Sequence, residues 1–178
     1  MLANCVLQAE KVSAAVSSSC TWNPADKVGF TLSNGNLTLQ GVYAANIRAT
    51  AGVQTGAYYY EFRVDAIGTY STHYPAFGIK PVSWAIVTYP AGEGIRIFGY
   101  DNAPSVGAVY ACAFDMGAKT VKFYKNNTLI ETKSIASVTE AWKPFFGFTN
   151  SYDDMTITAR FSQSEWTYAP PAGYIALP

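Results

Sequence analysis

The segment from Gly107 to Asn127 constrains the fold of this 178-residue chain more than any other stretch. Two runs of β-branched, aromatic and small residues, Val109 to Asp115 and Thr120 to Lys125, flank the turn residues Met116 to Lys119. Gly117 lies within that turn and is able to adopt a positive φ. The segment therefore predicts a β-hairpin, and a chain built on such hairpins is a β protein.

The rest of the chain repeats this pattern of short apolar runs separated by turn residues. The turn Ser33 to Asn36 contains an Asn-Gly pair, which suits a tight hairpin turn between Val28–Leu32 and Leu37–Gln40. The residues Trp22 to Lys27 contain Pro24 and predict a turn before the first strand. Further short strands are predicted at Asn46–Ala49, Gly56–Val64, Pro75–Ile79, Gly94–Phe98, Thr128–Thr132, Phe145–Phe148 and Met155–Phe161. Strict alternation assigns to the core Tyr60, Phe62, Val121, Phe123, Met155, Ile157 and Phe161.

Ten or more short strands without a helical period indicate an all-β fold, a two-sheet antiparallel β-sandwich or jelly roll. A chain of this length fits one domain with one core. We assign residues 22–178 to the sandwich. Residues 1–21 are an N-terminal extension or connector whose pattern predicts no single structure.

Charge and composition argue against several classes of function. The formal net charge is zero and charged residues make up 13% of the chain, so we expect no nucleic-acid partner and no membrane insertion. The three cysteines have neither metal spacing nor a disulfide pattern, and Cys112 lies within a predicted strand as a buried thiol. No secretory signal is recognisable, so the domain is expected to be soluble.

The residues needed for catalysis are not present in a recognisable pattern. The single histidine, His73, lies in a polar aromatic loop without a neighbouring acid, and no strand carries closely spaced carboxylates. The pairs Asp101-Asn102 and Asp153-Asp154 lack the alternate spacing of a calcium loop. We therefore predict that the protein is not an enzyme and binds neither a metal nor a cofactor.

Four separated stretches, in the same order along the chain, resemble a SPRY domain, a concanavalin-like β-sandwich. They are Gly56–Val64, Phe77–Ile79, the hairpin Ala111–Asn126 and the closing segment Tyr168–Tyr174. The chain departs from the family pattern in two turns. Ala108 follows Gly107 where the family usually has Asp, and Asn127 follows Asn126 where the family commonly has Gly. The resemblance spans residues 22–177 and implies a rigid scaffold whose loops bind a peptide or protein surface.

Three functions remain open. We favour a non-enzymatic module that binds a protein or a host-surface ligand, because low charge and a richness in small polar residues and Tyr are typical of phage tail or virion proteins; otherwise the domain is cytoplasmic. A lectin-like module that stacks sugars on loop aromatics is the first alternative, and an intracellular interaction adaptor is the second. The predicted contact loops are Tyr70–Tyr74, Val82–Tyr89, Tyr100–Asn102 and Tyr152–Asp154. The predicted ligand-binding residues are Tyr70, His73, Tyr74, Trp84, Tyr89, Tyr100, Asp101, Asn102, Tyr152 and Asp153.

Overall fold

A computed structural model describes residues 18–68, 75–86, 94–98, 103–148 and 154–178 of the chain. Every pair of neighbouring strands in it is antiparallel. The strands are β1 Trp22–Ser33, β2 Thr38–Ala49, β3 Ala57–Ile67, β4 Pro75–Pro81, β5 Ile95–Phe98, β6 Val109–Asp115, β7 Thr120–Lys125, β8 Thr128–Ser134, β9 Trp142–Phe148 and β10 Asp154–Arg160. One short 3₁₀ turn, Gln163–Glu165, follows β10, and no helix among the described residues is long and apolar enough to cross a membrane.

The strands form two layers that share β2. One layer contains β8, β7, β6, β3 and β10 in this order, and β10 pairs with the first half of β2. The other layer contains β9, β4 and β5, and β9 pairs with the second half of β2. Aromatic rings from the two layers meet between them: Phe62 of β3 contacts Phe77 of β4 edge to face, with ring centroids 4.8 Å apart. The hydroxyl of Tyr60 also donates to the carbonyl of Gly78 across the gap. The predicted two-sheet sandwich is confirmed.

The passage of β2 from one layer to the other requires a bend in its middle. Tyr43 has a φ of 62°, and the pairing of β1 with β2 shifts register around Gly29. Gly29 has a φ of 77°, and a Cβ atom there would lie 2.6 Å from the carbonyl oxygen of Ala44. Glycine is therefore required at this position, because no side chain fits between the two strands.

The core lies between the two layers and contains the aromatic residues that alternation assigned to it. All seven residues predicted for the core are at most 2% exposed. Phe161 contacts Trp22 at a centroid distance of 5.2 Å, and Phe77 contacts Phe123 at 5.5 Å. The predicted inward faces of the strands are therefore confirmed.

The structure corrects two local predictions. The first strand begins at Trp22, so the residues Trp22 to Lys27 belong to β1 and not to a preceding turn; Asn23 and Pro24 instead coincide with an irregular register at its start. In the central hairpin the left-handed residue is Lys119, with a φ of 55°, and not Gly117. The Asn-Gly turn is confirmed, because Asn34, Gly35 and Asn36 all have positive φ.

Candidate functional site

Trp84 is the one predicted ligand-binding residue that falls among the described residues. Its side chain is 43% exposed, and that of neighbouring Val82 is 37% exposed. The remaining predicted residues lie outside the described part of the chain: Tyr70, His73, Tyr74, Tyr89, Tyr100, Asp101, Asn102, Tyr152 and Asp153.

The strand pairing determines from which end of the sandwich each predicted loop leaves. Pro75 is the pairing partner of Phe148, and Ala76 is that of Phe98. The amide of Gly68 donates to the carbonyl of Asp154 at 2.7 Å. The loops that follow β3, β5 and β9 therefore start at one end, next to the bend in β2, which we call the bend end.

The loop that carries Trp84 starts at the opposite end. Its first residue follows Pro81, which pairs with Trp142 at the start of β9, and the amide of Val82 donates to the carbonyl of Ala141. We call the described part of this connection, residues 82–86, the Trp84 loop. The described residues from which the predicted contact loops start thus lie at two ends of the sandwich: the Trp84 loop starts at one end, and the other three start at the bend end.

The guanidinium group of Arg48 holds the Trp84 loop in place through hydrogen bonds on the buried side of the loop. Its Nη1 donates to the carbonyl oxygens of Pro81, Val82 and Trp84 at 2.9, 3.0 and 2.9 Å. Its Nε and Nη2 donate to the two carboxylate oxygens of Asp26 at 2.7 and 3.0 Å. The Arg48 side chain is 9% exposed, so this ion pair is screened little by solvent.

Two further charged residues hold the same loop. The Nζ of Lys80, a fully buried side chain, donates to the carbonyl of Ala85 at 2.6 Å. On the outside, the amide and the hydroxyl of Ser83 both donate to Glu140 at 2.7 Å. These hydrogen bonds, the hydroxyl one foremost, lower the pKa of the Glu140 carboxyl below its ordinary value. The loop is therefore fixed on both sides.

A buried acid on β3 organises the C-terminal segment, residues 161–178, in a comparable way. The Glu61 carboxylate accepts from the amides of Thr167 and Tyr168 at 2.7 and 2.9 Å and from the hydroxyl of Tyr59 at 2.9 Å. The ring of Trp166 packs edge to face on Tyr59 with centroids 4.9 Å apart. Burial, together with the Glu61 charge, raises the pKa of Tyr59 well above its ordinary value. The C-terminal segment thus covers the outer face of β3 and β6.

A recess of about 280 Å³ remains beside this segment on the outer face of the sheet. All of its lining side chains are uncharged. They are Tyr59, Tyr124, Asn127, Ala169, Pro170 and Pro171. Such a lining suits a neutral ligand better than a charged one.

The described thiols are buried and poorly reactive. Burial raises the pKa of Cys20 to about 11, and it raises that of Cys112 further, beyond the range in which a thiolate forms readily. Both are free cysteines, and the predicted burial of the Cys112 thiol is confirmed. Within the described ranges, no cluster of three or more His, Cys, Asp or Glu residues could hold a metal ion.

The sequence did not point to Arg48, Asp26, Lys80 or Glu61. Arg48 and Glu61 occupy outward positions of alternating strands, where charged residues are common and imply no particular role. Apart from Tyr59, which is two residues from Glu61, their partners described above are 22 to 107 residues away along the chain. No signal within the sequence could have identified them without knowledge of the strand order.

No protein-family model and no curated protein matches the sequence. Solved structures match the fold. The SPRY domain of human HERC1 superposes with a TM-score of 0.61 at 18% identity, over 78% of this chain and 96% of that one. The NHR1 domain of Drosophila melanogaster neuralized gives 0.63 at 10% identity over 78% and 96%, and the TRIM65 PSpry domain gives 0.55 at 15% over 79% and 91%. The chain therefore has a SPRY-like fold.

Proposed function

We propose that this chain is a non-enzymatic protein-interaction module and that Trp84 is the centre of one of its contact surfaces. The observation that carries the proposal is an exposed tryptophan on a loop fixed by buried cations. Tryptophan is among the residues most enriched at the energetic centres of protein interfaces. A loop that is already ordered loses little conformational entropy when it binds, which favours affinity. The likeness to SPRY domains of HERC1 and TRIM65 supports a rigid scaffold of this kind.

The bend end, from which three of the predicted loops start, is the competing candidate surface. They begin at described residues that lie next to one another, and Tyr43, 52% exposed, lies at the bend itself. We propose the Trp84 loop first, because hydrogen bonds from Arg48 and Lys80 fix it in the free protein. The bend end serves as the internal comparison.

The test is a capture experiment in which the tagged domain is incubated with host-cell envelope extract. We expect Trp84→Ala to weaken capture by about 1–4 kcal/mol, whereas Tyr43→Ala, an exposed aromatic at the other end, leaves it unchanged. Loss of capture with Tyr43→Ala but not with Trp84→Ala would move the contact surface to the bend end. Capture that survives both changes would refute both surfaces.

A glycan array run beside the capture experiment tests the lectin-like alternative. The exposed ring of Trp84 supports it, because sugar rings stack on aromatic faces. Glycan binding that is lost in Trp84→Ala would replace the protein partner with a carbohydrate at the same surface. Turnover of a glycan by the purified domain would contradict the non-enzymatic proposal.

We also propose, more narrowly, that the module belongs to a phage tail or virion and contacts a host-surface molecule. The support is compositional: 13% charged residues, with 13 tyrosines among many small polar residues. Mass spectrometry of purified particles would test it, as would the position of the gene beside tail genes. A gene among cellular signalling genes would favour the intracellular adaptor instead.

A further inference from the structure

The carbonyl groups of the Trp84 loop converge on cations. Of the five residues from Pro81 to Ala85, four direct their carbonyl oxygens at Arg48 or Lys80. Carbonyl oxygens carry partial negative charge, so bringing several of them together is unfavourable unless a cation lies between them. The loop conformation therefore depends on the two cations beneath it.

Arginine is suited to this position in a way that lysine is not. The guanidinium group is planar and presents five N–H donors in a fixed geometry, which allows one edge to bind a carboxylate while the opposite nitrogen serves other acceptors. Arg48 uses both sides, with Asp26 on one and three carbonyl oxygens on the other. A lysine has one ammonium centre and could not reach both sets at once.

Asp26 allows the cation to remain buried. A guanidinium group that is 9% exposed would be strongly disfavoured without a counter-charge. The bidentate contact to Asp26 supplies that charge and fixes the orientation of the guanidinium plane. Asp26 belongs to β1 and Arg48 to β2, so two strands of the scaffold determine where the loop lies.

We infer that Arg48, oriented by Asp26, is the positioning residue of the Trp84 surface and sets the shape of that loop before any partner arrives. Its use in binding rests on the proposed function. Its effect on the loop does not, because the loop is held in the free protein. The two are therefore tested by different measurements.

The test labels the four tryptophans with 5-fluorotryptophan and records ¹⁹F NMR spectra of the free protein. The resonance of Trp84 is assigned by its loss in Trp84→Phe. In Arg48→Lys we expect this resonance to move toward that of free 5-fluorotryptophan, while those of Trp22 and Trp166 stay in place. We also expect the amides of Val82 and Ser83 to exchange with solvent about tenfold faster or more.

The matched control is Arg63→Lys. Arg63 pairs with Asp65 at the same 2.7 Å nitrogen–oxygen distance but is 49% exposed on another strand. It should change neither the Trp84 resonance nor the exchange of Val82 and Ser83. If Arg48→Lys does not fold, as judged by circular dichroism, Asp26→Asn is measured in its place with the same expected changes.

Two results would overturn the inference. One is an unchanged Trp84 resonance with wild-type exchange rates in Arg48→Lys. The other is a movement of all four resonances together, which would indicate a general structural role. If the loop loosens in Arg48→Lys while Trp84→Ala leaves capture intact, the proposed contact surface is wrong and the positioning role of Arg48 stands.

Discussion

The Trp84 loop and the C-terminal segment are each held by a buried charged side chain, which is a cation under the loop and an anion under the segment. Arg48 gathers backbone carbonyl oxygens beneath the loop, and Glu61 gathers backbone amides beneath the segment. The outcome for the nearby tryptophan differs. Trp166 packs on Tyr59, whereas Trp84 remains 43% exposed. A buried charge can thus serve either to close a surface or to present one, and the exposed region is the candidate for contact with a partner.

The largest expected effect is a difference in the free energy of unfolding between two alanine variants, one in the C-terminal segment and one in the Trp84 loop. Phe161 begins the C-terminal segment and is fully buried, so Phe161→Ala should lower the free energy of unfolding by about 3–5 kcal/mol. Trp84→Ala should lower it by less than about 0.5 kcal/mol, because the ring is largely outside the core. Urea denaturation of both variants measures this. Similar losses of unfolding free energy in the two variants would contradict this difference between the C-terminal segment and the Trp84 loop.

The next effect concerns the acid beneath the C-terminal segment. Glu61→Gln replaces a charged acceptor of several hydrogen bonds with an amide, so we expect a loss of about 1.5–3 kcal/mol in the free energy of unfolding. Amide exchange should accelerate at Thr167 and Tyr168 but not at Val82. Glu131→Gln, at an acid that is 46% exposed, is the control. Faster exchange at Val82 would mean that the two regions are coupled.

High pH should lower the stability of the protein through Tyr59, the residue on which Trp166 of the C-terminal segment packs. The pKa of Tyr59 is raised by burial in the folded state, so its contribution to stability is present below pH 10 and is lost as the pH rises above that value. For this phenol alone the slope is about 1.4 kcal/mol per pH unit. Tyr59→Phe should therefore lose stability less steeply above pH 10 than the wild type. Tyr43→Phe, at an exposed tyrosine, should behave as the wild type does.

The smallest expected effect is at Glu140, which accepts hydrogen bonds from Ser83 on the outer side of the Trp84 loop. Glu140→Gln weakens the contacts from the amide and hydroxyl of Ser83, while the inner contacts of Arg48 remain. Amide exchange should become faster at Ser83 with no change in the midpoint of thermal unfolding. A general loosening of the loop would show that Glu140, and not Arg48, determines its shape.

Local patterns predicted the strands because their causes are local. Alternation placed Phe123 and Phe161 in the core, and the Asn-Gly pair marked the turn after β1. The bend in β2 was missed, since the left-handed residue there is Tyr43, a residue type that gives no turn signal. The sequence predicted two separate strands where one strand continues through the bend.

The candidate site was less predictable because it depends on the order of the strands. Trp84 was predicted as a contact residue because it is an aromatic residue in a predicted loop, and its side chain is 43% exposed. The groups that fix it come from β1, β2 and β4, which are brought together by pairing. The strand pairing also places the starting residues of the predicted loops at two ends of the sandwich, and the sequence pattern contains no information on this placement.

Because the shared strand β2 connects the two layers covalently on one side only, the sandwich should resist mechanical force less well on the other side. On one side the two layers are joined by the unbroken covalent backbone of β2, together with β1 alongside it. On the other side the edge strands β5 and β8 meet where the Nζ of Lys133 donates to the carbonyl of Arg96 at 2.6 Å. Under tension the layers should therefore separate first at the β5–β8 side, and attachments to other molecules should be better tolerated when they load the β1–β2 side.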